Sequence, residues 1–377
     1  MTGRAVIGTR AAVAILLAVE LVGSRAGAED FDLASLPPYK WEPGPEYERG
    51  KHCHNDVCDG EWGVLRIHGT ELVQHLVHLW QDSFLKLHPN IRFSDYFVPS
   101  GFSGLTAGTA DINLMGHRAW RSDLKAFEEV YGYPPFEIMF ATGGFNLGKG
   151  NTPGVIVFVN RDNPISGLTV KQLDGIFGAE RTGGWNGLTW STQAARSAND
   201  DIRTWEQLGL TGDWAKQTIR LFGFDATLSN WSDLIQRVVF NGGDKWNPAL
   251  HEMVRGGSKA PSDAQIVKAV AEDKYAIGFN LMRAVEKEPR VKELAIAASD
   301  RGPYVPPTRE TMYRRTYPLS NAVYIYINRP PGKPISPRIR EFLTYILSRQ
   351  GQQSVVEDGM YLPLNPEAAR EERRKLQ

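Results

Sequence analysis

Ile67-His68-Gly69-Thr70-Glu71-Leu72-Val73-Gln74-His75-Leu76-Val77-His78-Leu79-Trp80 is the stretch on which the reading of the fold turns. Gly63 to Ile67 reads as a short strand, Gly69 as a tight turn, and residues 71–87 as an amphipathic helix. Thr70 stands where a helix N-cap is wanted, and Leu72, Val73, Leu76, Val77, Trp80 and Phe84 recur at helical spacing. A strand that feeds a glycine turn and a helix N-terminus leaves backbone N–H groups pointing at open space, a simple receptor for an anion or small ligand. Many strand–turn–helix units share this pattern and bind nothing, so the assignment depends on what other stretches converge there.

Two neighbouring stretches have the same form. A second strand over 91–98 runs into Pro99-Ser100-Gly101-Phe102-Ser103-Gly104-Leu105, and a third over 109–115 ends at Gly116-His117-Arg118. This alternation predicts three successive strand-to-turn junctions at one edge of a parallel sheet, where open α/β folds hold their ligands. Further on, the pattern predicts a helix over 122–131 and strands over 136–146 and 154–160, the latter leaving one lobe for another. A helix follows over 169–177, then a Gly/Ser/Thr/Asn-rich surface excursion over 178–203, a strand over 219–224, and a turn from Asp225 to Asn230 before helix 231–240. The chain closes with helix 262–272, strands 275–279 and 322–327, helices 337–348 and 350–358, and a charged stretch over 367–375 that reads as a frayed helix.

At 377 residues the chain is long enough for two lobes, each with its own core. Its 42% hydrophobic and 23% charged content is that of a soluble globular protein. Lys+Arg and Asp+Glu are equal at 43 each, so no strong field marks a nucleic-acid or membrane-surface partner. Arg4 and Arg10 precede an apolar run from Ala11 to Val22 and then Ala26-Gly27-Ala28, the pattern of a secretory signal cleaved after Ala28. The sequence therefore predicts a soluble, exported (periplasmic or secreted) mature chain. The only two cysteines lie in His52-Cys53-His54-Asn55-Asp56-Val57-Cys58-Asp59. Export favours a small Cys53–Cys58 disulfide loop, while the histidines and aspartates among them leave a metal site as the alternative. Residues 29–60, with Pro37-Pro38 and Pro43-Gly44-Pro45, read as an irregular leader.

Several stretches resemble, in order and spacing, the periplasmic phosphate-binding proteins of ABC-type importers. They are Gly69-Thr70-Glu71 with Trp80 beyond it, Ala107-Gly108-Thr109-Ala110-Asp111-Ile112, Val159-Asn160-Arg161-Asp162-Asn163-Pro164, Leu168-Thr169-Val170-Lys171-Gln172-Leu173 and Ala276-Ile277-Gly278-Phe279. The C-terminal match is the strongest: Tyr317-Pro318-Leu319-Ser320, Tyr324-Ile325-Tyr326-Ile327-Asn328, and Gly351-Gln352 to Leu362-Pro363-Leu364. The resemblance covers residues 61–366. It implies an α/β, two-lobe periplasmic-binding-protein fold of type II, lobes joined by crossing strands and closing on a small ligand by a hinge. Lobe I would contain 61–150 plus 315–366, lobe II 151–314, and 367–377 would be a charged tail. The implied protein is a non-enzymatic, monomeric solute-binding protein that needs no cofactor, captures a small oxyanion, phosphate by default, and delivers it to an ABC permease.

The resemblance places ligand groups on four turns: Gly69, Thr70, Glu71 and Leu72; Ser100, Gly101, Phe102 and Ser103; His117 and Arg118; and Asp225, Ala226 and Thr227. The departures from the family pattern sit among them. Leu72 replaces a hydroxyl residue, and His117 an Asp or Ser. Phe224 replaces the anion-binding Arg, and Leu228-Ser229-Asn230 a Ser-Gly-Thr run. Losing such an Arg from a buried anion site costs about 2–5 kcal/mol. Arg118 or a protonated His117 would be the replacement charge, Arg118 alternatively making a structural ion pair. The runner-up reading is thus a same-fold binding or scaffold protein with another ligand or none. A third class, a metal-dependent enzyme using Glu71, His75 and His78, gives way to a solvated helix face, because the apolar stripe centres on Leu76 and Trp80. No Ser–His–Asp, Cys–His or GxGxxG constellation stands out. Trp185, Trp190 and Trp231 are candidate cleft aromatics, though packing is the commoner role of such residues.

Overall fold

The computed structural model describes residues 31–41, 53–54, 57–58, 63–98, 101–143, 154–226, 229–253 and 262–377. In chain order the strands that build its two main sheets are β1 (Val64–Gly69), β2 (Arg92–Phe97), β3 (Ile112–Met115), β4 (Phe136–Thr142), β5 (Val155–Asn160), β6 (Arg220–Phe224), β7 (Leu250–Met253), β8 (Ala276–Leu281), β9 (Val291–Glu293) and β10 (Ala322–Ile327). The main helices are α1 (Gln74–Leu85), α2 (Arg121–Tyr131), α3 (Val170–Phe177), α4 (Asn230–Val238), α5 (Ser262–Glu272), α6 (Pro337–Ile346), α7 (Arg349–Asp358) and α8 (Pro366–Arg374).

The first sheet has the order β2-β1-β3-β10-β4, with β1 parallel to both β2 and β3, and β10 antiparallel to β3 and β4. The second has the order β7-β6-β8-β5-β9, with β6 parallel to β7 and β8, and β5 antiparallel to β8 and β9. Each sheet is therefore four strands running one way with a single antiparallel strand among them, where the chain crosses between lobes: β10 in the first sheet and β5 in the second. All six residues of β5 are buried, as expected of a continuous apolar run covered on both faces.

Helix α1 buries Leu76, Val77, Trp80 and Phe84, and the Trp80 indole N–H donates to Gly351 O of α7 at 2.8 Å. The predicted helix start differs in detail: Glu71–Val73 is a 3₁₀ turn, and Thr70 makes no side-chain cap. Its hydroxyl is committed to the neighbouring strand end instead, so the first turn tightens.

The irregular leader and the charged tail are both docked. Phe31, Leu33, Leu36 and Tyr39 join the main core. Arg349 clamps this segment, its Nη2 donating to Ala34 O at 2.6 Å and its backbone N–H to Pro37 O at 3.0 Å. Tyr39 Oη meets His88 Nε2 at 2.5 Å and also donates to Glu341. The tail is not frayed: α8 buries Ala368, Ala369 and Glu372 on one face, and Glu372 accepts the Met139 backbone N–H at 3.0 Å. A separate antiparallel ladder sets Cys53 opposite Cys58. Among the described residues no helix is long and apolar enough to cross a membrane.

Candidate functional site

The parallel pairing of β2, β1 and β3 brings their C-terminal ends together, and the turns beyond them interlock. Gly69 O accepts the Val98 N–H at 2.9 Å, and the Thr70 N–H donates to Leu114 O at 3.1 Å. Thr70 Oγ1 accepts the Gly116 N–H at 3.1 Å. The two turn glycines are there for lack of space: a Cβ on Gly101 would lie 2.5 Å from Gly69 O, and one on Gly69 would lie 2.7 Å from Leu114 O. Gly69, Thr70, Gly101 and the strand end at His117 thus form one rigid group. Glu71 is exposed beside it, and Leu72 packs towards Gly116 while its carbonyl accepts the Tyr361 hydroxyl at 3.1 Å. Phe102 faces the interior, 2% exposed and edge-on to Tyr326 at 5.3 Å. Ser103 opens the short helix Ser103–Thr106 and is exposed, whereas Ser100 lies outside the described residues.

The charges of the third turn are spoken for. Arg118 forms a fork-to-fork pair with Glu137, both bonds at 3.1 Å, and its guanidinium carbon lies 5.5 Å from the Tyr324 ring centre. Burial is the largest single influence and would lower the Arg118 pKa, but Glu137 together with Tyr324 and Tyr326 outweighs it, and the shift is upward. The Tyr326 hydroxyl completes the network by donating to Glu137 at 2.9 Å. His117 is nearly buried, and its Nδ1–H donates to Arg118 O at 2.7 Å. Burial, aided by the charge of Arg237, pushes its pKa down past the opposing pull of Asp123 and Asp233, so the imidazole is neutral near pH 7 and supplies no cation.

In lobe II the turn between β6 and α4 is capped by Ser229, whose hydroxyl accepts the Trp231 N–H at 3.2 Å. Phe224 is turned into the core, 6% exposed with Phe279 at 6.1 Å. Asp225 O accepts the Ser232 hydroxyl at 2.7 Å, and Ala226 O accepts Gln236 Nε2 at 3.1 Å. Thr227 lies outside the described residues.

Positive charge acts on His117 and Tyr324 from residues that the sequence did not single out. Arg237 pairs with Asp233 one turn earlier on α4 at 2.8 Å and acts electrostatically on both His117 and Tyr324. Arg315, on the segment returning to lobe I, acts on Tyr324 as well. Its backbone is left-handed, with φ at 59°, its side chain is exposed, and among the described residues no carboxylate pairs with it. Arg121 stacks on Trp185 at 4.8 Å, and Trp185 meets Trp190 at 5.2 Å. In sequence Arg237 looks like half of an ordinary i,i+4 surface pair, and nothing local announces the left-handed backbone at Arg315.

The α1 histidines have separate partners, His75 with Asp358 at 2.7 Å and His78 with Asp95 at 3.6 Å. No group of three or more potential metal ligands occurs among the described residues.

A family model for the PBP superfamily domain matches residues 151–350. The phosphate-binding protein PstS of Pseudomonas aeruginosa is 31% identical over 327 residues, spanning 86% of this chain and 88% of that protein. The chain belongs to the PstS family of the PBP superfamily. It is a solute-binding protein of two α/β lobes. The phosphate-binding protein PstS of Staphylococcus haemolyticus is a more distant member, 22% identical over 80% of this chain and 81% of its own length. The crystal structure of PstS from Borrelia burgdorferi shares the fold, with a TM-score of 0.50, 14% identity, and coverage of 80% of this chain and 99% of that one.

Proposed function

We propose that this PstS-family chain captures a small oxyanion, phosphate by default, between its lobes and presents it to an ABC permease. The observation that carries the reading is the joining of Gly69, Thr70, Gly101 and the His117 strand end into one group, with Arg237 of lobe II acting electrostatically on His117 and on Tyr324, and Arg315 on Tyr324 as well. Backbone N–H groups and a hydroxyl orient such a ligand, and unpaired or singly paired guanidiniums hold its charge. Arg118, spent on Glu137, shapes the site's wall, and Glu71, Leu72, Ser100, Phe102, Ser103, Asp225, Ala226 and Thr227 make up the remainder of the proposed turns. The phosphate assignment draws on the 31% identical relative. The lobes divide at 151 and 315, where the chain crosses. The protein acts as an exported monomer without catalytic activity, its signal removed after Ala28. A Cys53–Cys58 disulfide closes the leader loop, in keeping with the facing register of the two residues.

A second reading, the same fold with a changed ligand, is favoured by one observation: Phe224 is packed in the core. Calorimetric titration of the mature protein with phosphate, sulfate and arsenate separates the two. Saturable heat with phosphate supports the first reading. No heat and no thermal shift at millimolar phosphate refutes it and leaves the second.

A further inference from the structure

Arg121 stands where helix electrostatics gives it no reason to be. It is the first residue of α2, and the dipole of a helix disfavours a cation at that end. Asp233 and Asp244 act on it from lobe II, but they are paired with Arg237 and Lys245. The guanidinium carbon lies instead 4.8 Å from the ring centre of Trp185. That contact joins the two halves of the protein. Helix α2 belongs with the first sheet, since its Phe127 shares a cluster with Phe102 and Tyr326. Trp185 sits on an antiparallel hairpin, Gly184–Asn186 paired with Thr189–Ser191, which belongs with the second. The hairpin is fastened just beyond α4: the Trp185 N–H donates to Gly242 O at 2.9 Å, and a Cβ on Gly242, whose φ is 83°, would lie 2.0 Å from Trp185 O. Trp190 meets Trp185 edge-on at 5.2 Å and holds the plane of its ring. By contrast, the Arg118–Tyr324, Arg181–Phe240 and Arg329–Phe136 contacts each stay within one lobe. The pair also adjoins a ligand turn. Trp120, the N-cap of α2, lies 5.5 Å from His117, on which Asp233 and Arg237 of α4 act electrostatically. Lobe II therefore acts on lobe I at His117 through α4 and touches it at Arg121 through the hairpin.

We propose that Arg121 and Trp185 form a latch between the lobes, a pair of positioning residues that act on the ligand through closure of the cleft. The inference rests on ligand capture between the lobes, as proposed above. A contact made only with the lobes together raises the closed population, and the apparent affinity follows that population. A partly dried guanidinium over an indole face is attractive without the strict geometry of a buried ion pair, so it suits a contact that must break and re-form. Burial lowers the Arg121 pKa against the pull of Asp233 and Asp244, from a value so high that the charge is kept.

The test is small-angle X-ray scattering of the full mature chain without ligand, together with phosphate calorimetry, on the parent, Arg121→Gln, Trp185→Leu and the double variant. Both single variants are expected to show a larger radius of gyration than the parent and to bind phosphate about three- to tenfold more weakly. The double variant should bind no more weakly than the weaker single one. Trp185→Leu removes no charge, so a loss common to both singles does not come from the field of Arg121. Arg121→Gln, at a half-buried helix start, keeps the test usable should Trp185→Leu fail to fold. Lys125→Gln, which removes an exposed charge of the same helix paired with Glu128 and Glu129, should leave both readouts unchanged. Scattering identical to the parent in the folded single variants overturns the latch. So does a double variant whose loss is the product of the two single losses. If the parent itself takes up no phosphate, the cleft reading falls, and the scattering comparison alone decides the latch.

Discussion

Replacing Arg315 by glycine should make the protein more stable and a weaker binder. A non-glycine residue in the left-handed region costs about 1–2 kcal/mol, and Arg315 sits there with φ at 59°. Glycine removes that strain but adds freedom to the unfolded chain, worth about 0.4–1 kcal/mol against it. The side chain is exposed and has no carboxylate partner among the described residues, so its loss opens no cavity and strands no charge. The net is a gain of about 0.5–1 kcal/mol, or roughly 1–3 °C in melting temperature for a chain of this size. On the binding side the variant loses a charge-assisted contact worth about 1.5–3 kcal/mol, a weakening of roughly 10- to 150-fold. Thermal melts without ligand and calorimetry with phosphate read the two effects separately. A variant that is destabilised would show that Arg315 holds the crossing segment in place. A variant that binds as tightly as the parent would remove Arg315 from the ligand site.

Three further outcomes follow from the same geometry. Gly101→Ala should cost about 1–3 kcal/mol in denaturant unfolding and weaken ligand binding, because its methyl group would lie 2.5 Å from Gly69 O and must drive two ligand turns apart. Phe224→Arg, which puts the family's arginine back, should fail to improve phosphate affinity and should lower the melting temperature, since it takes a ring out of the core at a cost of about 3–5 kcal/mol; tighter phosphate binding by a well-folded variant would contradict this. Burial pushes the His88 pKa down from 6.5 to about 4, so between those values the unfolded chain binds a proton there that the folded chain refuses. Stability should therefore fall as pH drops through this window, by about 3 kcal/mol in total from this residue, and His88→Gln should flatten the slope in urea unfolding measured from pH 7 to 4. Glu341, raised by burial, has the opposite sign and is untouched by that substitution.

The strand end at Met115, the stripe of α1 and the buried run of β5 were readable from the sequence, because periodicity and turn chemistry are properties of neighbouring residues, and β1 was placed correctly but runs on to Gly69, two residues past the expected Ile67. Thr70 marks the limit of that legibility. Its identity pointed to a helix cap, but the hydroxyl was taken by the Gly116 N–H, which only the pairing of β1 with β3 brings alongside. Arg118 was legible as a cation next to the site, yet whether it faced ligand or carboxylate depended on Glu137, which β4 delivers across β10. The charged tail read as a frayed helix and the proline-rich leader only as irregular, because their few apolar residues have value only against a surface built elsewhere in the chain. By itself, then, the sequence determined the two-lobe α/β framework, the run of strand-to-turn junctions in the first lobe and the presence of Phe224 where the family resemblance leads one to expect arginine. Tertiary structure alone decided which charges remain available there, since that depends on which distant carboxylates claim them: Glu137 takes Arg118, while none of those described pairs with exposed Arg315.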